Sequence, residues 1–230
     1  MNSPAPAVSV IVPVFNGERY LAEAIASIVG QDCASIEVLV VDDGSTDRSA
    51  SVAAGFPGVT LLRKAHSGLA ATLNHGVDHA TGELLAFLDA DDRWLPGKLS
   101  RQAEALRQQP ELDLVFCLTR EFSVRTAPTG DETVYSAAKQ GICKSGMLIR
   151  HAAFRRVGGF TEHADRHDFL DWYARAQSAG ITSAVLPELL IERRIHDRNM
   201  GRTQAADQRA LYLATLRAAV ARRRLRNDGG

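Results

Sequence analysis

VSVIVPVFNGERYLAEAIASIV, residues 8–29, joins a dense β-branched run to a helical pattern through Asn16-Gly17. The β-branched run favours a pleated strand, the Asn-Gly pair a turn, and the apolar spacing from Tyr20 to Val29 an amphipathic helix. The unit is strand, turn, helix, and it recurs. Strands are expected over 36–41, 59–62 and 84–88, and helices over 49–54 and 68–80. Runs such as VLVV and LLAFL lack polar alternation, so both faces of the sheet must be covered, as in parallel α/β sheets. Right-handed crossovers stack such strands into an open, doubly wound sheet that binds ligands at the carboxyl ends of its strands. Three polar clusters fall there: Asn16-Gly17, Asp42-Asp43-Gly44-Ser45 and Asp89-Ala90-Asp91-Asp92.

Past Pro96 a helix is expected as far as Gln109, then a strand over 112–118 and an irregular stretch over 126–145. From Met147 the pattern reads strand, short helix, Gly158-Gly159 turn, helix over 169–178, strand over 183–186 and a long helix from Gln204. Neither repeat nor linker interrupts it. The expectation is one α/β domain over residues 1–230, with a mostly parallel central sheet and helices on both faces.

The 27 basic and 27 acidic side chains cancel, and 45% of residues are hydrophobic. A neutral chain lacks the basic excess that a general nucleic-acid binder uses to neutralise phosphates. The one basic cluster, Arg217, Arg222, Arg223, Arg224 and Arg226, decorates the terminal helix and leaves room only for weak contact with an anionic membrane surface. Cys33, Cys117 and Cys143 are odd in number and lack the paired spacing of a zinc site. With no secretion signal and no run near the roughly 18 apolar residues of a membrane span, a cytoplasmic location is expected.

The chemistry is concentrated in the acids. Asp89, Asp91 and Asp92 on one tight turn cannot all stay ionised without a compensating cation. Oxygen ligands suit Mn2+ or Mg2+, which take few protein carboxylates and several oxygens from a substrate diphosphate. In isolation the same residues describe a solvated turn with Asp92 capping the next helix. Asp42-Asp43-Gly44-Ser45-Thr46-Asp47 adds a second acid turn, able to accept hydrogen bonds from a base imide or ribose hydroxyl, with one of Ser45, Thr46 or Asp47 capping a helix.

Three stretches in order, VSVIVPVFNGERYLAEAIASIVGQ, IEVLVVDDGSTDRS and GLAATLNHGVDHATGELLAFLDADDRW, resemble the inverting glycosyltransferases of family 2, which have the GT-A fold. The resemblance covers most of the chain and implies a nucleotide-sugar-binding half over 8–95, an acceptor and catalytic half over 96–203, and a C-terminal helix and basic tail over 204–230. It implies that Pro13, Phe15, Asp42 and Asp43 line the nucleoside pocket. It makes Asp89 and Asp91 the DXD element, with Asp91 the direct metal ligand and Asp89 also facing the donor. Asn74 belongs to the family's A-x-R-N-x-G stretch, but Leu73 stands where that stretch has arginine, which leaves Lys64 or His66 to replace a phosphate contact. The late R-x-H element corresponds to Arg194 and His196, the first supporting the diphosphate and the second completing the metal site.

Inverting transfer needs a base for the acceptor proton. The family places it at a helix start after a Gly-Gly-Phe turn, here Gly158-Gly159-Phe160. Two registers compete: matching Trp172 to the family's aromatic selects Asp168, and matching Arg175 with Ala179-Gly180 selects Asp171. His163 and His167 lack a third ligand and an intervening Glu, so they do not form a helical metal pair. Trp94 and Trp172 could stack on a sugar, though core packing is the better reading of both. The implied donor is a UDP-, GDP- or dTDP-sugar, and the acceptor a saccharide, lipid-linked sugar, small molecule or peptide. Two other readings stand beside this one: a catalytically silent nucleotide-sugar-binding module, and a phosphotransferase or phosphatase using Asp89 as nucleophile.

Overall fold

The computed structural model describes residues 8–33, 35–127, 130–162 and 168–197. The expected helix from Gln204 with its arginines, and both His163 and His167, lie outside the described residues. The first half follows the expected alternation: β1 Val8–Val14, α1 Leu21–Val29, β2 Ile36–Asp42, α2 Ser49–Ala54, β3 Val59–Arg63, α3 Leu69–His79 and β4 Leu84–Phe87. The second half runs β5 Arg93–Trp94, α4 Lys98–Gln108, β6 Leu114–Ala127, β7 Gly130–Tyr135, β8 Lys139–Gln140, a 3₁₀ turn Lys144–Gly146, β9 Leu148–Arg150, α5 His151–Val157, α6 Asp168–Ser178 and β10 Ser183–Arg194.

All strands belong to one ten-stranded sheet in the order β3-β2-β1-β4-β9-β6-β10-β5, with β7 and β8 paired to β6. β1 lies parallel to β2 and to β4, and β2 to β3. β9 enters antiparallel between β4 and β6, whereas β10 is parallel to β6, so the sheet is mixed beyond its parallel half. The chain therefore leaves β1 toward β2 on one side and later fills β4 on the other. That change of direction opens a crevice at the carboxyl ends of β1 and β4, where α/β sheets bind ligands.

Alternate residues of each strand point to opposite faces, and the core divides accordingly. Val8, Val10, Val12 and Val14 meet Leu21, Ala24, Ile25 and Ile28 of α1 on one face. Ile11, Leu39, Val41 and Phe87 meet Leu73 and Val77 of α3, and then Phe154 and Trp172, on the other. A Cβ at Gly76 would stand 2.5 Å from Ile11 Cγ2, so glycine lets α3 lie directly on β1.

The stretch 126–145, expected to be irregular, contains the end of β6, all of β7 and β8, and the start of the 3₁₀ turn. The expected strand over 112–118 continues to Ala127, and that over 183–186 to Arg194. Apolar periodicity misses these extensions because ladder pairing with partly exposed neighbours sustains them. Pro187 interrupts β10 by removing an N–H, and the β6–β10 register shifts between Val185 and Leu189. Among the described residues no helix is long and apolar enough to cross a membrane.

Candidate active site

The loops after β1 and β2 are sewn together. Ser45 Oγ accepts the Asn16 amide at 2.9 Å, Asn16 Oδ1 accepts the Thr46 amide at 2.9 Å, and Asp47 Oδ2 accepts the Glu18 amide at 3.0 Å. Asn16 adopts φ 52°, a left-handed conformation that Asn tolerates better than most residues. Asp47 also takes the Ser49 amide at 2.9 Å, but the N-cap of α2 is Arg48 and carries no side-chain cap, so none of Ser45, Thr46 and Asp47 fills the capping position expected of this turn; their side chains are spent tying the two loops together. Asp42 is fully buried, with Oδ1 accepting the Ser45 amide at 2.9 Å and Oδ2 lying 3.4 Å from Arg63 Nε.

Asp43 is the anchor of the next loop. Its Oδ1 accepts from Lys64 Nζ at 2.9 Å and the Ser67 amide at 2.9 Å, and its Oδ2 accepts the Gly68 amide at 3.0 Å. Burial opposes ionisation of this carboxyl, but those donors outweigh it and hold Asp43 below the usual carboxylate range. Lys64, a candidate phosphate contact, has its ammonium on Asp43 and Ser67. His66 packs its ring on Phe15 at 4.2 Å between centroids, and Phe15 stays 49% exposed, an aromatic platform at the mouth of the crevice. Pro13 lies within β1 opposite Val41.

The acid turn after β4 is divided among three environments. Asp92 is buried, accepts the Arg194 amide at 2.9 Å and caps no helix; α4 begins later, after Gly97. Burial, reinforced by Asp89 and Asp91, pushes the Asp92 carboxyl well above its ordinary pKa. Asp91 Oδ2 meets His196 Nε2 at 3.0 Å, and Arg194 Nε donates to the Asp91 carbonyl at 3.1 Å. Arg194 also pairs with Glu23 and lies over the rings of Tyr20 and Phe122, so it buttresses the turn from behind. Asp89, 39% exposed in its side chain, has Oδ1 3.7 Å from Lys144 Nζ.

Lys144 reaches a second carboxylate: its Nζ stands 3.8 Å from Asp168 Oδ2 at the start of α6. Burial works against its charge, but Asp89 and Asp168 outweigh that and raise the Lys144 pKa. Asp168 is 7% exposed, and its Oδ2 is a buried oxygen without a hydrogen-bond partner among the described residues. Asp171 is placed differently. It is 41% exposed in its side chain and accepts from Thr161 Oγ1 at 2.8 Å and Arg175 Nε at 3.0 Å.

Asn74 lies in α3 with both halves of its amide on one residue: Nδ2 donates to the Phe160 carbonyl at 2.9 Å and Oδ1 accepts the Phe160 amide at 2.8 Å. It clamps the Gly158-Gly159-Phe160 turn that leads toward α6. Leu73 beside it is fully buried in the core. Trp94 and Trp172 are buried too, with indole N–H groups on the Ser145 and Gly158 carbonyls at 3.0 and 2.9 Å. Both are core residues, as the better reading had it.

Sequence reasoning missed Lys144, which stands in a motif-free stretch. It also missed Glu192, whose buried carboxylate gathers Arg93 Nε at 2.6 Å and Arg120 Nε at 2.7 Å behind the site. For a metal, Asp91 and His196 offer an oxygen and an imidazole side by side. Among the described residues no group of three or more His, Cys, Asp or Glu side chains is arranged as a complete cage. Such a partial donor set fits Mn2+ or Mg2+, which would draw their remaining oxygens from a diphosphate and water.

Residues 9–158 match the model of glycosyl transferase family 2, and the chain belongs to that family of glycosyltransferases. It is 28% identical to an uncharacterized glycosyltransferase of Rickettsia typhi over 94% of this chain and 73% of that one. It is 32% identical to EpsE of Bacillus subtilis, a glycosyltransferase by name, over 83% of this chain and 73% of that one. Among solved structures, the mannosyltransferase PcManGT from Pyrobaculum calidifontis in complex with GDP-Man and Mn2+ superposes with TM-score 0.70 at 23% identity, over 94% of this chain and 64% of that one. S. aureus TarS in complex with UDP-GlcNAc gives 0.65 at 20% identity, over 84% and 60%. At these identities the likeness establishes the fold, which is GT-A, and the chain spans less than two thirds of either solved protein.

Proposed function

We propose that this chain transfers a sugar from a UDP-, GDP- or dTDP-sugar to an acceptor hydroxyl, with inversion and with Mn2+ or Mg2+ as cofactor. Residues 8–95 bind the donor and 96–203 shape the acceptor side. The observation that carries the reading is the contact between the halves: the acid turn after β4 and the buried Asp168 at the head of α6 share one lysine. A donor-phosphate turn and a buried carboxylate with an oxygen not engaged in a hydrogen bond among the described residues are thus neighbours, as a single displacement requires. The presence of GDP-Man, Mn2+ and UDP-GlcNAc in the complexes of the two solved proteins supports the same class of donor.

The nucleoside base stacks on Phe15, with Pro13, Asp42 and Asp43 shaping the pocket floor. Asp91, with His196 and Asp89 beside it, would hold the cation. The cation, when bound, neutralises charge on the departing nucleoside diphosphate. Asp168 Oδ2 accepts the acceptor's hydroxyl proton as that oxygen attacks the anomeric carbon; the bond from that carbon to the diphosphate oxygen breaks on the opposite face, which inverts the centre. Asp168 is favoured over Asp171 because its oxygen is desolvated and carries no hydrogen bond among the described residues, whereas Asp171 is taken by Thr161 and Arg175 at the surface.

The test is product formation from nucleotide sugars and Mn2+ with saccharide, lipid-linked sugar, small-molecule and peptide acceptors, read by mass spectrometry. Transfer with inverted anomeric configuration supports the reading. Donor binding with neither hydrolysis nor transfer across the panel would reduce the chain to a silent nucleotide-sugar-binding module.

A further inference from the structure

Lys144 is set in place from several sides. Gln102 of α4 donates through Nε2 to the Gly146 carbonyl at 2.9 Å and to the Val115 carbonyl at 2.9 Å, and Lys98 Nζ donates to Gln102 Oε1 at 2.8 Å. Trp94 Nε1 holds the Ser145 carbonyl at 3.0 Å, and Ser145 Oγ accepts the Asp89 amide at 3.3 Å. The 3₁₀ turn is therefore fixed against α4, β5 and the acid turn. From it the Lys144 side chain, 11% exposed, brings its Nζ to 3.7 Å from Asp89 and 3.8 Å from Asp168. Both separations exceed ordinary hydrogen-bond lengths, so the ammonium is held by two carboxylates without being bonded tightly to either. It keeps N–H donors for a third, anionic partner.

We propose that Lys144 is a diphosphate-binding residue, donating to a terminal oxygen of the donor's β-phosphate while it stays beside Asp168. The inference rests on the donor-site reading above. Its chemistry follows from position. Negative charge grows on the β-phosphate as the glycosidic bond to it breaks, and an ammonium already fixed there interacts more strongly with the leaving group than with the intact donor. No other described residue offers a buried ammonium to both the acid turn and α6.

Titration calorimetry with UDP, GDP and dTDP, with and without Mn2+, and with uridine, guanosine and thymidine as controls, tests this directly. Lys144→Met should weaken the diphosphate that wild type binds by about tenfold or more, the effect of losing one hydrogen bond between charged groups, and leave nucleoside affinity unchanged. Lys144→Arg should retain most of the affinity. Because the single change strands Asp168 beside an uncharged neighbour, Lys144→Met/Asp168→Asn restores the balance of charge and should show the same selective loss. If both methionine variants bind the diphosphate as wild type does, or lose nucleoside and diphosphate affinity in parallel, Lys144 is a structural counter-ion and the proposal is wrong. If wild type itself binds none of the three diphosphates, the donor-site reading falls and takes this inference with it.

Discussion

Asp168 and Asp171 are three residues apart on one helix, yet they have different surroundings. Asp168 is buried, with an oxygen that has no hydrogen-bond partner among the described residues beside Lys144, and Asp171 is half-exposed and engaged by Thr161 and Arg175. Asp168→Asn keeps the shape and removes the proton acceptor, so kcat for transfer should fall by about 100- to 10,000-fold with donor affinity retained. Asp171→Asn should leave kcat within a few-fold of wild type, because exposed pairs of this kind contribute little, roughly 0–1 kcal/mol. Steady-state kinetics of the two variants decides between them, and intact transfer by Asp168→Asn would move the base to Asp171. This is also where the sequence was ambiguous: two registers of one helix start differ by a shift in alignment, whereas burial and hydrogen bonding separate them at once. Asp91 and His196 were named from motifs far apart in the chain, and the structure brings them to 3.0 Å. Lys144 had no such motif, because its meaning lies in two carboxylates that only folding brings near it.

Two elements behind the site give their own tests. Asn74 in α3 holds both backbone groups of Phe160, so Asn74→Ala leaves a partly buried N–H and C=O unpaired and should cost about 1–3 kcal/mol in urea unfolding. An unchanged unfolding midpoint would contradict the clamp. In α4, Lys98 lies wholly buried over the Trp94 ring, 4.0 Å from its centroid, and burial brings its pKa down from 10.5 to about 8. Its native form binds a proton less tightly than the unfolded chain does, so between pH 8 and 10.5 the unfolded state holds more protons and this group's contribution to stability rises with pH. Below that window the penalty, on the order of 3 kcal/mol, is fully present. The stability of wild type relative to Lys98→Met should therefore improve as pH rises from 7.5 to 9.5 (roughly the lower part of that window); a pH-independent difference in denaturant midpoints would contradict it. Elements with strong apolar periodicity, such as β1 and α1, were legible from sequence to within a residue. The continuation of β6 to Ala127 and of β10 to Arg194 was not, since those segments carry Arg120, Glu121 and Glu192 and are held by ladder pairing and ion pairs instead of an apolar face.

At the scale of the whole molecule, one sheet carries both halves of the site. β1, β2 and β4 deliver the turns proposed to hold nucleoside and phosphate, and β9, β6 and β10 return the chain so that Arg194 and His196 close on the acid turn from the far side. The gathering of the loops after β1, β2 and β4 could be read from three strand ends because parallel α/β sheets place their loops together. The arrangement of the second half could not, because hairpins such as β6–β7 follow no comparable rule. If these strand ends form a metal-assisted nucleotide-sugar site, as proposed, a nucleotide sugar that binds only the native state must raise its melting temperature. The direct measurement is a thermal-shift screen of UDP-, GDP- and dTDP-sugars, with and without Mn2+, on wild type and Asp91→Asn. At least one of them should stabilise wild type, Mn2+ should enlarge the shift, and Asp91→Asn should lose the Mn2+-dependent part. No shift with any nucleotide sugar, or the same Mn2+-dependent shift in Asp91→Asn, would contradict the proposed site.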